Sequence, residues 1–287
     1  NLDTAEKFYY DALEEAKCAG FPPSYLAIAI SSLGEIAQDR GHQADARRHY
    51  EQAFSMIRDM PQHPYFGLLL DRLAKIFFDE GDFSEAARLV QRIITLQGTL
   101  KDPKGEADAL RKLGLCERSM GDLDSAIKHF EQSHAAAASH GDMPTVIIAL
   151  AEEGFTYAQK NDHKRAVEIF RKVISLRESH NYFEHEAIDR VALAHSLVQV
   201  GQYKEALENL DRNIGASNNK LPTIQEREDR AVCFVATGRA LDALSILNSL
   251  LEEARQRSDR VLEASCIGNL GFAYHTLGRL HEAYEFY

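Results

Sequence analysis

Zinc-assisted hydrolysis on a helix needs two imidazoles one turn apart with a carboxylate beside the first, and His185-Glu186 begins such a motif. Asp189 stands where the second histidine belongs, so the metal pair is not formed. The four cysteines, Cys18, Cys116, Cys233 and Cys266, never come closer than 33 residues, which excludes a CxxC redox pair or a local metal knuckle. They read as reduced, mostly buried thiols of a reducing compartment, the cytoplasm first and the nucleus as the alternative. The sequence has no GxGxxG or GxxxxGK[ST] phosphate cradle, no GxSxG elbow and no EF-hand loop. Most of the twelve histidines lack a partner at ligand spacing and read as solvated groups or caps of helix C-termini. No catalytic, cofactor or metal site is therefore assigned, and the expected activity is non-enzymatic.

Charge narrows the partners. With 33 Lys+Arg against 44 Asp+Glu the formal charge is -11, which disfavours nucleic acid and anionic membranes. The chain is 45% hydrophobic, yet no window nears the ~18 consecutive apolar residues of a membrane span. It opens at Asn1 with no initiator Met and no leader pattern, and is read as a fragment of a longer protein.

If chemistry comes from no single constellation, it must come from a surface, and the elements carrying that surface recur. Gly41, Gly81, Gly121, Asn161 and Gly201 follow each other at steps of 40, then Gly238 at 37 and Gly278 at 40. Five residues after each comes an alanine, from Ala46 to Ala283, and four further on an apolar or aromatic residue such as Tyr50, Phe130, Phe170 or Tyr287. Seven residues before each turn stands a second small residue: Gly34, Ala74, Gly114, Gly154, Ala194, Ala231 and Gly271. A minimal side chain at every copy predicts that two helices cross there at close range. Leu26, Ile30, Leu33 and Ala37 show the helical stripe of the first full A helix, the helix before the turn. The turn glycine ends it by taking a left-handed conformation, for which Asn161 is the next best residue. All seven prolines, Pro22, Pro23, Pro61, Pro64, Pro103, Pro144 and Pro222, fall between one B helix and the next A helix.

These coincident positions resemble the tetratricopeptide repeat, typified by SCIGNLGFAYHTLGRLHEAYEFY from Ser265 to Tyr287. The resemblance covers essentially the whole chain and implies an all-α fold, a right-handed α-solenoid of about seven antiparallel helix pairs plus a partial repeat. The expected layout is one solenoid over 1–287, with units near 1–19, 22–59, 64–99, 103–140, 144–180, 184–215, 222–257 and 260–287. The segment GASNNKLP, Gly215 to Pro222, reads as an irregular loop. Departures from the family are the 40-residue period, the absence of tryptophan, and Glu117, Arg190 and Arg227 at normally apolar positions. The long period is similar to that of spindle adaptors with GoLoco motifs, kinesin light chains, bacterial peptide-sensing regulators, and arrays joined to CHAT proteases.

The residues 11, 8, 7 and 4 before each turn form the expected buried stripe, so those 13, 9, 6 and 2 before it point the opposite way. The resemblance implies that this face, with its flanks 10 and 3 before the turn, lines a concave groove. In the second unit it holds Asp71, Arg72, Lys75 and Phe78, in the third Arg111, Lys112, Leu115 and Arg118. In the fourth it holds Ile148, Phe155 and Gln159, in the fifth Val191, His195 and Gln199. Two readings stand: the apolar face thickens helix contacts while the cations pair with neighbouring carboxylates, or the face receives a protein or peptide segment with acidic and apolar residues. The glycines Gly34, Gly41, Gly81, Gly114, Gly121, Gly154, Gly201, Gly238, Gly271 and Gly278 carry structural roles in this scheme.

The position six before the turn holds Glu35, Lys75, Leu115, Phe155, His195, Val232 and Phe272, with no asparagine. The family's carboxylate clamp for chaperone tails is therefore not expected, nor, with only Asn269 on the corresponding face, its asparagine ladder. The expectation is a scaffold or adaptor that binds a peptide or protein in its groove, without nucleic acid, membrane or cofactor. The alternative is a regulatory or sensor module controlling a fused effector, such as a CHAT-type protease or a transcription regulator. In either case the groove can be met by another part of the parent protein.

Overall fold

A computed structural model describes residues 2–216 and 222–287. The described residues form fifteen α-helices and no strand. Most of the GASNNKLP segment lies outside the described residues, although α11 (Tyr203–Ala216) extends through Gly215. Among the described residues no helix is long and apolar enough to cross a membrane. The chain divides into two compact units, Asn1–Ala149 and Leu150–Tyr287, with the division inside α8 (Met143–Gln159).

In the first unit α1 (Leu2–Cys18) is followed by three helix pairs. These are α2 (Pro23–Asp39) with α3 (Gln43–Ile57), α4 (Tyr65–Asp79) with α5 (Phe83–Leu100), and α6 (Pro103–Ser119) with α7 (Leu123–Ser139). Local chemistry sets each hairpin. Gly41, Gly81 and Gly121 take φ of 76°, 83° and 84°, ending the A helix at no steric cost. The aspartate after two of them then starts the B helix: Asp82 accepts from the Glu85 N–H at 3.1 Å and Asp122 from the Ser125 N–H at 3.2 Å. Asp102 and Pro103 open α6 in the same economical way, as side-chain cap and first-turn proline.

The second unit contains α9 (His163–His180), α10 (Glu186–Gln199), α11, α12 (Ile224–Ala236), α13 (Ala240–Arg257), α14 (Arg260–Thr276) and the short α15 (Leu280–Phe286). Asn161 supplies the left-handed turn before α9 with φ 62°, and Asp162 caps it through the Arg165 N–H. Thr223 and Glu226 form a reciprocal capping box on α12.

Each crossing glycine of an A helix faces the aromatic of its B helix. A β-carbon at Gly34 would lie 2.6 Å from the Tyr50 ring, at Gly114 2.8 Å from Phe130, at Gly154 3.0 Å from Phe170, and at Gly271 3.1 Å from Tyr287. Tyr50, Phe130 and Phe170 are fully buried, so these rings are the keystones of the helix crossings. The buried face of the A helices is wider than the expected stripe. Residues five before the turn, Ile36, Ile76, Cys116, Thr156, Ser196, Cys233 and Ala273, are buried as well. Cys116 and Cys233 belong to this row, and burial pushes their thiols up to about 11 and about 12. Cys266 is buried too, while Cys18 is exposed.

The charged residues at apolar positions pair locally. Glu117 meets His129 at 2.6 Å, Arg190 reaches Glu178, Glu186 and Asn209, and Arg227 bonds Glu253. Arg177 and Asp189 form a buried ion pair at 2.5 Å, their side chains 5% and 2% exposed. Arg177 also donates to the Glu184 carbonyl, fixing the connection from α9 to α10.

Candidate functional site

In the first unit, α4 and α6 present their groove-side residues together around a cleft of about 250 Å³. Ala74, Phe78, Val90, Leu115 and Cys116 give it an apolar lining, and Asp71, Lys75, Asp79, Arg111 and Lys112 a charged one. The helix period brings them together: Asp71, Lys75 and Phe78 rise three or four residues apart on one face of α4, Arg111 and Leu115 on one face of α6. Phe78 is braced edge-on against Phe83, with ring centres 5.2 Å apart.

Most of the cations here are spent on neighbours. Lys112 bonds Asp71 across the two helices and Asp108 at 2.9 Å along its own. Arg111 bonds Asp108 at 2.7 Å, and Arg72 reaches Glu35 on α2 at 3.1 Å. Burial opposes ionisation of Asp108, but Lys112 and Arg111 outweigh it and hold the carboxyl below its ordinary value. Lys112 is likewise held above its ordinary value, burial being outweighed by Asp71 and Asp108. Arg118 lies over the Phe130 ring at 5.8 Å. Among the described residues Lys75 is exposed and, alone of the three cations lining this cleft, has no ion-pair partner. Sequence reading placed these residues on one face but did not show that Asp71, Asp108 and Glu35 consume three of the cations.

Pairs of this type recur in the second unit. His195 on α10 meets Asp229 on α12, and Glu228 on α12 accepts from Ser265 on α14 at 2.7 Å. Each of these contacts, with Glu35–Arg72 and Asp71–Lys112, links the A helices of successive repeats through groove-side positions.

The apolar groove residues of the second unit are more internal than those of the first. Phe155 is half-buried with its ring edge-on to Phe170 at 5.0 Å, Val191 is half-buried, and Ala151 and Val198 are buried. Gln159 and Gln199 are exposed, as is Ile188 at 51%. Ile148, on the first-unit side of α8, is 38% exposed. Packing therefore takes up Phe155 and Val198, while Gln159, Gln199 and Ile188 stay exposed beside them. Among the described residues no group of three or more His, Cys, Asp or Glu is arranged to hold a metal ion.

The tetratricopeptide repeat family model matches residues 65–139 and 105–179. Among curated proteins the chain is similar to the transcriptional activator NprA of Geobacillus stearothermophilus, 22% identical over 170 residues, or 58% of this chain. The match spans 39% of that relative's length. The solved structure of aspartyl phosphate phosphatase F from Bacillus subtilis is similar with a TM-score of 0.68 and 11% identity, covering 96% of this chain and 72% of that one. A Rap protein complexed with competence and sporulation factor aligns with a TM-score of 0.57 and 13% identity, covering 100% and 84%. Repeated helix hairpins, glycine crossings met by aromatics, and these matches agree: residues 65–179 are tetratricopeptide repeats, and the hairpins on either side of them are built to the same plan.

Proposed function

We propose that the chain is a non-enzymatic recognition module that binds a peptide segment, or an extended part of a partner protein, at the α4–α6 cleft. The segment carries an aliphatic or aromatic side chain for the apolar lining and a carboxylate for Lys75. The observation that carries this reading is an unpaired cation beside an apolar depression whose other cations, Arg111 and Lys112, are already paired. A ligand carboxylate there adds an ion pair without breaking one. Similarity in fold to a Rap protein complexed with competence and sporulation factor supports a protein or peptide as the ligand class.

A peptide-display selection on the full chain, run beside Lys75→Glu, tests this. Enrichment of acidic-plus-apolar sequences by the native chain and their loss in the variant is the expected result. Equal enrichment by both removes the cleft from the recognition surface. The relative NprA, of which 39% is matched, favours a second reading in which the repeats regulate an effector elsewhere in a longer protein. Absence of any enrichment, with binding instead to a folded domain, supports that reading.

A further inference from the structure

Three consecutive repeats of the second unit meet through one small polar cluster. His163 is the first residue of α9, His195 lies near the end of α10, and Asp229 sits in α12. The two imidazoles stand edge to face with centres 5.8 Å apart. His195 Nδ1 lies 3.2 and 3.1 Å from the two carboxylate oxygens of Asp229. Asp229 is 3% exposed and also accepts from the Gln225 side chain at 3.2 Å, so its charge is fixed in place. His163 Nδ1 is buried with no hydrogen-bond partner among the described residues.

We propose that His163, His195 and Asp229 form a proton-sensitive latch across the fourth, fifth and sixth repeats, closed when the two rings together carry one proton. That proton belongs on His195, where Asp229 meets it directly. His163 must then stay neutral, because a second positive ring would face the first at short range with the α9 N-terminus on its other side. The remaining charges that face the pair are few. Glu228 on α12 favours the His195 cation, and Asp162, the cap of α9, favours charge on His163. Asp162 is itself engaged by Arg165 at 3.4 Å, and Lys160 and Lys164 flank the same turn. Gln199, the groove residue one turn beyond His195, is neutral.

The electrostatics agree in direction. The hydrogen bond to Asp229 holds His195 above its ordinary 6.5, against the effect of burial. Burial holds His163 below 6.5, and His195 adds to that. Protonated His195 therefore stabilises the fold fully below pH 6.5 and loses that contribution as pH rises through its raised folded value. Neutral His163 contributes fully above pH 6.5 and loses it as pH falls through its lowered folded value. Both contributions are present together only near pH 6.5, and departure in either direction opens the latch. Acid opens it at His163, beside the turn that joins α8 to α9; alkali opens it between α10 and α12.

The test is an NMR titration of the imidazole protons in the full chain and in His163→Gln, His195→Gln and Asp229→Asn, combined with hydrogen exchange at pH 5 and 6.5. The native chain should show one ring titrating above the ordinary histidine value and one below it. His195→Gln should raise the His163 midpoint by at least the about half a pH unit that two unit charges ~6 Å apart produce even in water. Asp229→Asn should lower the His195 midpoint. Protection in the first turn of α9, taken relative to the intrinsic exchange rate at each pH, should fall at pH 5 in the native chain and lose that response in His163→Gln, whose half-exposed position tolerates an amide. Titration of both rings at the ordinary value, indifferent to the partner's replacement, overturns the proposal. So does an unchanged acid response in His163→Gln. None of these readouts depends on the α4–α6 cleft, so the latch and the peptide site stand or fall separately.

Discussion

Gly114→Ala and Gly268→Ala make the same covalent change on two A helices and should move stability in opposite directions. In a helix interior alanine is favoured over glycine by about 1 kcal/mol. At Gly268 nothing lies within 4 Å of the new β-carbon, so that gain should appear undiminished. At Gly114 the β-carbon falls 2.8 Å from the Phe130 ring, short of the 3.4 Å of ordinary contact by about 0.6 Å. Phe130 is fully buried, and Arg118 lies over its ring, so the ring cannot swing into solvent. Overpacking of this kind typically costs 1–3 kcal/mol, and the propensity gain offsets about 1 kcal/mol of it. The expected net change for Gly114→Ala is a loss of roughly 0–2 kcal/mol. Gly114→Leu, with three more carbons to place, should lie at or beyond the upper end. Urea denaturation followed by circular dichroism, with the slope compared among variants, measures each change. Stabilisation by Gly114→Ala equal to that by Gly268→Ala, or a melting curve unmoved by Gly114→Leu, would refute the reasoning that ring and glycine define the crossing.

Lys75→Glu should leave the melting curve in place and weaken an acidic-plus-apolar peptide roughly tenfold or more, the usual worth of a hydrogen bond to a charged group; fluorescence anisotropy with a display-selected peptide reads it. Arg111→Glu is a poorer probe, since it sets a carboxylate against Asp108 and should cost stability as well as binding. Arg177→Ala strands the buried Asp189 and should cost about 3–5 kcal/mol, whereas the double change Arg177→Met with Asp189→Leu should recover most of it; denaturation of both variants separates a stranded charge from lost packing. Asp108, held below its ordinary 3.8, contributes stability at neutral pH that disappears as pH falls through its folded value. Asp108→Asn should therefore flatten the acid limb of the stability curve, and an unchanged limb would count against the Lys112–Asp108 pairing.

The hairpins were legible because the sequence spells out their chemistry. A glycine or Asn161 must take the left-handed turn, and in the second, third and fourth units an aspartate follows to cap the B helix. The crossing glycines were legible as well, since only one kind of constraint puts a small residue at the same place in every copy. The full width of the buried face was not. The row five before the turn contains Cys116, Thr156, Ser196 and Cys233, and side chains so mixed in polarity leave no hydrophobic period to read. The candidate site was half legible. Helical spacing put Asp71, Lys75, Arg111 and Lys112 on one face, but which cations are consumed depends on contacts between residues about 40 apart in the chain. Phe155 shows the same limit: its angular position points it outward, and its length lets it fold back onto Phe170.

The polar contacts between successive A helices have a consequence for how such an array can change. Glu35 suits the repeat carrying Arg72, Asp71 the one carrying Lys112, His195 the one carrying Asp229, and Glu228 the one carrying Ser265. No two of these junctions use the same pair of side chains. Removing the fifth repeat, or exchanging it with the third, would leave buried Asp229 with no histidine and only Gln225 to meet it, a penalty that hydrophobic stacking alone would not impose. Although every hairpin is built to one plan, the repeats are not interchangeable parts: at these four junctions each is keyed to its neighbour, and their order is written into the pairs that join them.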